Sequence, residues 1–317
     1  HQPNSGGLQV KPERLIVGSR GSPLALWQTK TAISLLEARG AKTELRIVKT
    51  KGDHVLDVPL HRVSGRGLFV REIDDLMVAG EIDVAVHSMK DLPSKRPEDL
   101  VIAAVLPRDS PFDVLVSDDG AALEDLEGGA VVGTCSMRRA AQLRRARPDL
   151  VIESLRGNLE TRLRKLEEGN YRAIVLAEAG IARMGYHPKY SVLDPETFVP
   201  SANQGAIAVV ATKGRAEEIV QEIDHLPTRL ETECEREILE AIGGSCVVPM
   251  AAFARLEGDE LRVLAEVLAL DGSRFVRVEG MVSADDHLNG AKKLSRELVE
   301  KGGRSLAEEA VREVGEV

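Results

Sequence analysis

Two arginine-bearing segments carry the strongest chemical signal in the chain, G-T-C-S-M-R-R at 133–139 and S-L-R-G-N-L-E-T-R-L at 154–163. Each sets guanidinium forks among Gly, Ser, Thr and Asn, the residue types that end strands and cap helices. Backbone N–H groups, hydroxyls and guanidiniums that converge where a helix begins make a carboxylate or phosphate site. In the first segment Thr134 and Ser136 supply capping hydroxyls, and Arg138 and Arg139 fall on different sides of the first turn. The helix dipole disfavours cations there, so the pair requires an anion among them. Arg156 and Arg162 follow the same logic around the turn Gly157-Asn158. Arg183, past a short apolar strand and Ala-Gly, adds another cation. Arg144, Arg145 and Arg147 read as a solvated helix face.

Three further constellations accompany these. H-S-M-K-D at 87–91 places a hydroxyl (Ser88), a cation (Lys90) and a carboxylate (Asp91) at the end of an apolar run. Asp91 beside Lys90 can stay ionised and hold a cationic nitrogen. The plainer reading is a salt-bridged surface loop, and His87 alone reads as a buried structural histidine. In G-S-R-G-S-P-L-A-L-W-Q, Arg20 precedes Ser22-Pro23, an N-cap followed by a first-turn proline. It reads as an anion contact aided by the helix dipole, or as an exposed base beside a good cap. S-G-R-G-L-F presents Arg66 on a glycine-flanked loop, with Arg62 just before it; a plain surface turn fits as well, and Asp53 and Asp57 are weaker signals. Cys246 lies in G-G-S-C-V-V-P. A lone cysteine is usually a small buried hydrophobe, yet this flexible approach suits a thiolate that must be reached by a reactant.

The elements that must position these groups alternate. Strands are predicted at Arg14 to Gly18 and Glu44 to Thr50, with a helix between them from Pro23 to Arg39. A helix at Phe69 to Ala79 precedes a strand at Ile82 to Val86. A second α/β unit follows: strands at Ala130 to Gly133, Val151 to Ser154 and Ala173 to Ala177, and helices at Ser136 to Ala146 and Leu159 to Glu168. Such alternation predicts mostly parallel sheets covered by helices. Every anion-binding segment falls where a strand enters a helix, the edge at which open α/β sheets bind ligands. Two such domains facing each other leave a cleft. After Thr228 the pattern becomes α+β, with a charged helix at Glu231 to Ala241 and strands at Val247 to Arg255, Leu261 to Ala269 and Arg274 to Gly280. Helices at Asp285 to Lys301 and Leu306 to Val314 complete it.

Bulk composition excludes several functions. The 317 residues carry a formal net charge of -9, are 43% hydrophobic and 29% charged, and include one Trp, three Tyr and five Phe. So few aromatics cannot form a base-stacking platform, and the acidic balance argues against nucleic-acid partners. No apolar run approaches the ~18 residues of a membrane span. His1 to Val10 is polar and lacks an apolar stretch of the signal-peptide kind, so it reads as an added or processed lead-in. Cys135, Cys234 and Cys246 form no C-x-x-C pair, which suits free thiols rather than a disulfide frame or a metal site.

Taken together, G-S-R-G-S-P-L-A-L-W-Q, G-R-G-L-F, H-S-M-K-D, V-G-T-C-S-M-R-R, L-R-G-N-L-E-T-R-L, A-N-Q-G-A at 202–206 and G-G-S-C-V-V-P resemble, in order, the motifs of the porphobilinogen deaminase (hydroxymethylbilane synthase) family. The resemblance runs from about Leu15 to the C-terminus. It implies two facing α/β domains of the type II periplasmic-binding-protein kind, at 12–108 with 203–224 and at 109–202, plus a C-terminal α+β domain at 225–317. The chain would cross back into the first domain near Gln204. The resemblance also implies a dipyrromethane cofactor, made from two substrate units and joined by a thioether to Cys246. On it, four porphobilinogen units condense head to tail with release of ammonia, and hydrolysis frees a linear tetrapyrrole.

Asp91 matches the family's catalytic aspartate, which protonates the leaving amine and stabilises charge on pyrrole nitrogens. Arg20, Ser22, Arg66, Ser88, Lys90, Thr134, Cys135, Ser136, Arg138, Arg139, Arg156, Gly157, Arg162, Arg183 and Gln204 match binding positions. Each pyrrole carries an acetate and a propionate, so the growing chain is a polyanion that needs many cations. Three departures stand out: Arg62 and Arg66 where Lys is frequent, Cys135 where Ser is frequent, and Ser245 in place of Gly. Cys135 is an alternative attachment point. The resemblance further implies a cytoplasmic monomer without metal, passing its product to uroporphyrinogen III synthase, with the plastid stroma an option if the N-terminus is processed. The competing readings are a non-catalytic anion-binding protein of the same two-domain type, which needs neither Cys246 nor Asp91, and an inactive homologue.

Overall fold

The computed structural model describes residues 14–49, 68–243 and 246–315. The first run of elements is β1 (Leu15–Arg20), α1 (Pro23–Ala38), β2 (Thr43–Val48), α2 (Leu68–Val78), β3 (Val84–Ser88) and β4 (Leu100–Val105). The second is β5 (Asp113–Val116), β6 (Val131–Gly133), α3 (Met137–Ala146), β7 (Val151–Glu153), α4 (Leu159–Glu167), β8 (Ala173–Ala177), α5 (Glu178–Met184) and β9 (Tyr190–Val192). β10 (Ile207–Thr212) and α6 (Arg215–Gln221) follow, then α7 (Leu226–Ile242), β11 (Met250–Glu257), β12 (Glu260–Leu268), β13 (Phe275–Ser283), α8 (His287–Glu300) and α9 (Gly303–Gly315).

Two five-stranded sheets share one topology, β2-β1-β3-β10-β4 and β7-β6-β8-β5-β9. In each, a single strand runs against the other four, β10 in the first sheet and β5 in the second. The parallel majority follows from the βα alternation, and the odd strand is the one each sheet receives from the other. The chain leaves β4 for β5 through residues 106–112 and returns from β9 to β10 through residues 193–206. Sheet strands such as β3 and β10 are buried on both faces, which explains why they read as continuous apolar runs rather than alternating ones. Separate apolar clusters fill the two sides of each sheet.

The two crossing segments are bonded side by side. Leu106 N donates to Ile207 O at 3.1 Å and Asp109 N to Gly205 O at 3.0 Å. Gly205 has φ +83, and a Cβ there would lie 2.5 Å from Asp109 O and 2.6 Å from Ser110 O, so only glycine lets the two segments approach.

The third sheet, β11-β12-β13, is an antiparallel meander whose core is closed by α7, α8 and α9. α7 begins earlier than the charge pattern suggests, because His225 caps it by accepting from Thr228 N and a proline follows in the first turn. Its acids are not all solvated. Glu235 is fully buried, and its carboxylate accepts from Arg108 Nη1 at 2.7 Å and Nη2 at 2.8 Å. The same group accepts from Asn203 N at 2.7 Å and Ala254 N at 3.0 Å. One carboxylate therefore ties both crossing segments to the third sheet.

The expected solvated face of α3 is corrected by the structure. Arg145 forks onto the buried Glu266 of β12, with both bonds at 2.8 Å. Arg144 donates to Leu270 O at 3.0 Å, and Arg147 to Leu123 O and Leu126 O at 2.8 Å each. A Cβ on Gly272 would lie 2.4 Å from Ala141 O, so the β12–β13 turn docks tightly on α3. A run of basic residues reads as solvated only until another surface packs on it.

Removing Glu235 leaves Arg108 buried with only the longer acid contact, to Glu231 at 3.4 Å, and two backbone N–H groups unmet. Glu235→Ala is expected to lose about 3–5 kcal/mol of stability, measured by urea unfolding. A loss below about 1 kcal/mol would contradict this account of the junction.

Candidate functional site

α3 opens at the C-terminal end of β6, where Ser136 Oγ accepts from Arg139 N at 3.2 Å and Thr134 Oγ1 from Ser136 N at 3.2 Å. The hydroxyls so placed fix the first turn and set Arg138 and Arg139 into the protein rather than outward; both are buried. The anion that this pair requires is internal. Asp113, at the start of β5 and 1% exposed, receives Arg138 Nη1 at 2.7 Å and Arg139 Nε at 3.0 Å. Burial alone would raise the Asp113 pKa, but the two guanidiniums more than offset it and hold the carboxyl below the ordinary range.

α4 opens on Asn158, whose side chain accepts from Thr161 N at 2.9 Å. Gly157 just before it has φ +115, and its carbonyl accepts from Arg162 Nε at 2.8 Å. Arg156 and Arg162 are only half-buried, unlike the inner pair.

On the facing sheet, β3 runs into a single 3₁₀ turn, Met89–Asp91. Lys90 lies in that turn. Enclosure between the walls, reinforced by Arg139 and Arg138 and opposed by Asp91 and Asp113, brings its ammonium down to about 8. Asp91 is exposed beside it. Ser88 Oγ accepts from Gln28 Nε2 at 2.8 Å, tying β3 to α1. Ser22 caps α1, accepting from Ala25 N at 3.3 Å, and Arg20 ends β1. His87 is buried, its pKa pulled to about 3 by burial and by Arg96 and Arg20, which fits the structural reading of a neutral ring.

A cavity of about 280 Å³ joins the two walls to the third sheet. Lys90, Arg138, Arg139, Arg156 and Arg162 line it, with Thr134, Ser136, Ser201 and Gln204 as further polar groups. Cys135 and Cys246 reach the same cavity, and among the described lining residues there is no acid. Cys246 is exposed. Cys234 is the contrast: burial and then Glu235 push its thiol up to about 12, as befits an inert core cysteine.

Not every expected residue meets in this cavity. Arg20, Ser22, Ser88, Asp91 and Gly157 lie outside its lining. Arg183 is held away from it, donating to Asp109 Oδ2 at 2.8 Å and Gly205 O at 2.9 Å, with its guanidinium 5.7 Å from the Trp27 ring. It braces the crossing segments against α1. Arg66, with Arg62, Asp53 and Asp57, falls outside the described residues, as does Ser245. Sequence reasoning missed Asp113, whose only signal is an acid opening the apolar run D-V-L-V. It also missed the apolar wall made by Met137, Val247, Val248 and Met250.

No helix among the described residues is long and apolar enough to cross a membrane. Residues 15–220 match the family described as "Porphobilinogen deaminase, dipyromethane cofactor binding domain", and residues 229–301 match "Porphobilinogen deaminase, C-terminal domain". A probable porphobilinogen deaminase of Methanosarcina acetivorans is 49% identical over 95% of this chain and 96% of its own. A porphobilinogen deaminase of an Exiguobacterium species is 42% identical over 92% of this chain and 97% of its own. Such archaeal and bacterial relatives lend no support to a plastid location. Substrate-binding domain 2 of Lactococcus lactis GlnP is similar over 68% of this chain and 88% of its own at 13% identity, with a TM-score of 0.44. The chain, two five-stranded α/β sheets followed by an α+β domain, belongs to the porphobilinogen deaminase family, transferases of tetrapyrrole biosynthesis with a dipyrromethane cofactor.

Proposed function

We propose that this chain condenses four porphobilinogen units head to tail, releases ammonia at each addition and frees hydroxymethylbilane by hydrolysis. The observation that carries the proposal is the cavity in which a reachable thiol, Cys246, meets five cations and, among the described lining residues, no acid. A protein of net charge -9 has gathered positive charge at one place. The acetates and propionates of a dipyrromethane fit this donor set, with Cys246 as its thioether anchor and Gln204, Thr134 and Ser136 as neutral donors. When bound, the dipyrromethane would supply the pyrrole end at which each unit is joined. We read the domains as 12–108 with 203–224, 109–202 and 225–317, and the enzyme as a cytoplasmic monomer serving uroporphyrinogen III synthase.

Within this reading Arg156, Arg162 and Lys90 are the accessible carboxylate partners, and Arg138 and Arg139 form the inner wall. Arg20, Ser22, Arg66, Ser88 and Cys135 are assigned to binding through the motifs they occupy. Gly157 serves through its backbone, which turns the chain into α4. Asp91, one residue beyond Lys90, handles the proton of the leaving amine and stabilises positive charge on the pyrrole nitrogens. A non-catalytic anion-binding protein would need neither Asp91 nor a reachable thiol.

Intact-protein mass spectrometry tests the anchor. The chain produced with ample porphobilinogen should carry a mass increment equal to two linked pyrroles, and Cys246→Ser should lack it. An increment that persists in Cys246→Ser and disappears in Cys135→Ser would move the attachment to the other thiol; an unmodified wild type would favour the binding protein. Asp91→Ala should keep the increment while turnover falls by about 10²-fold or more; near-normal product formation would sink its assigned role.

Lys90 gives a pH signature with a definite sign. Its ammonium is charged below about 8 and loses its proton above it, so carboxylate binding weakens as pH rises. By pH 9 about one-tenth of it stays protonated, and KM for porphobilinogen should rise up to about tenfold between pH 7 and 9. Lys90→Arg, charged throughout, should flatten that rise; an unchanged slope would remove Lys90 from the carboxylate site.

A further inference from the structure

Asp113 is a buried acid for which the chemistry above has no use. It opens β5, and the Val-Leu-Val that follows it is fully buried. Its partners come from two other parts of the fold. Arg138 reaches both carboxylate oxygens, with Nη1 at 2.7 Å from Oδ2 and Nη2 at 3.3 Å from Oδ1. Arg139 bonds Oδ1 through Nε at 3.0 Å, with Nη2 2.9 Å away. Gln204, on the returning crossing segment, donates its amide to Oδ1 at 3.1 Å and to Pro111 O at 2.6 Å.

The far sides of the two guanidiniums are closed as well. Arg138 Nη1 also donates to Val199 O at 3.0 Å and Gln142 Oε1 at 2.9 Å. Arg139 Nη1 donates to Val175 O at 3.2 Å. Both side chains still line the cavity. Two adjacent cations in the first turn of a helix repel one another and oppose the dipole. Without a fixed acid behind them they would turn toward water and take several orientations.

We propose that Asp113 is a positioning residue, which holds Arg138 and Arg139 in one arrangement at the inner wall and, through Gln204, keeps that wall in register with the crossing segment. The claim rests on the reading of the cavity as a carboxylate-binding site. It also sets the charge there: two guanidiniums and one carboxylate leave a single net positive charge at the inner end.

Asp113→Asn keeps the shape and removes the charge. The apo chain incubated with porphobilinogen should gain the two-pyrrole increment about tenfold more slowly than wild type, within the coupling expected of contacting groups. The comparison is made at a temperature where circular dichroism shows both chains folded, so that lost stability alone does not move the rate. A folded Asp113→Asn chain that gains the increment at the wild-type rate would overturn the proposal.

A second readout does not depend on the function. Glutarate, a simple dicarboxylate, should raise the thermal midpoint of the wild-type apo chain, with an affinity about tenfold weaker in Asp113→Asn. Equal affinities, or no glutarate effect on wild type, would also overturn the positioning role. A wild-type chain that binds glutarate yet never gains the increment would instead refute the proposed function and leave Asp113 to be judged on glutarate. Where Asp113→Asn does not fold, Asp113→Glu takes its place, keeping the charge but moving it by one methylene. The same weakening is expected there, and wild-type affinity would count against the proposal.

Discussion

Buried arginines keep a fixed place only where negative charge receives them, and here that receiving charge is itself buried. Asp113, Glu235 and Glu266 are each essentially inaccessible to water, and each is clasped by arginine. Ion pairs this deep cost much of their Coulomb energy in desolvation, so they add little net stability over an apolar contact. Their value is geometric, because removing either partner strands the other. The three acids also sit at the seams: Asp113 behind the cavity, Glu235 under the crossing segments, Glu266 between α3 and the third sheet. Burying acids against internal arginines also helps an acidic chain present a cavity wall of five cations with no acid among its described residues.

α3 shows how these seams converge. Arg138, Gln142 and Arg145 follow one another at helical spacing, on one face. Arg138 meets Asp113, Gln142 Nε2 meets Glu266 at 3.1 Å and Val199 O at 2.9 Å, and Arg145 closes on Glu266. A single helix face thus carries the inner wall of the cavity at its start and the docking surface for the third sheet a turn or two later. The turn that leads into β11 carries Cys246 to that cavity.

Much of this was legible in the sequence because the signals are local. Caps such as Ser22, Ser136 and Asn158, and the turn at Gly157, follow from residue type and neighbours alone, and they place α1, α3 and α4 within a residue or two. Two short helices, α5 and α6, escaped notice, and so did strands whose identity depends on partners far along the chain. β4, β5 and β10 are short apolar runs that become strands because β10 pairs β3 and β4 while β5 pairs β8 and β9, and β5 and β10 are set in place by a chain that changes sheets twice. Arg145 was misread for the same reason, since Glu266 lies 121 residues away. The anion demanded by Arg138 and Arg139 was inferred from the helix dipole, while its source was not, because Asp113 carries no mark of its own beyond an acid at the mouth of an apolar run.

The distinction between inner and outer arginines follows from that hidden acid. Arg138 and Arg139 have most of their donors committed to Asp113, Val199, Val175 and the two glutamines, so they act as a rigid wall with few hydrogens to spare. Arg156, Arg162 and Lys90 are only half-buried and can follow a ligand that changes length. A site that must hold a chain of carboxylates at several stages of growth needs both kinds, one to fix the anchored end and one to yield. The same sequence motif, arginine beside a helix cap, serves either purpose, and Arg138 and Arg139 are fixed by the acid buried behind them.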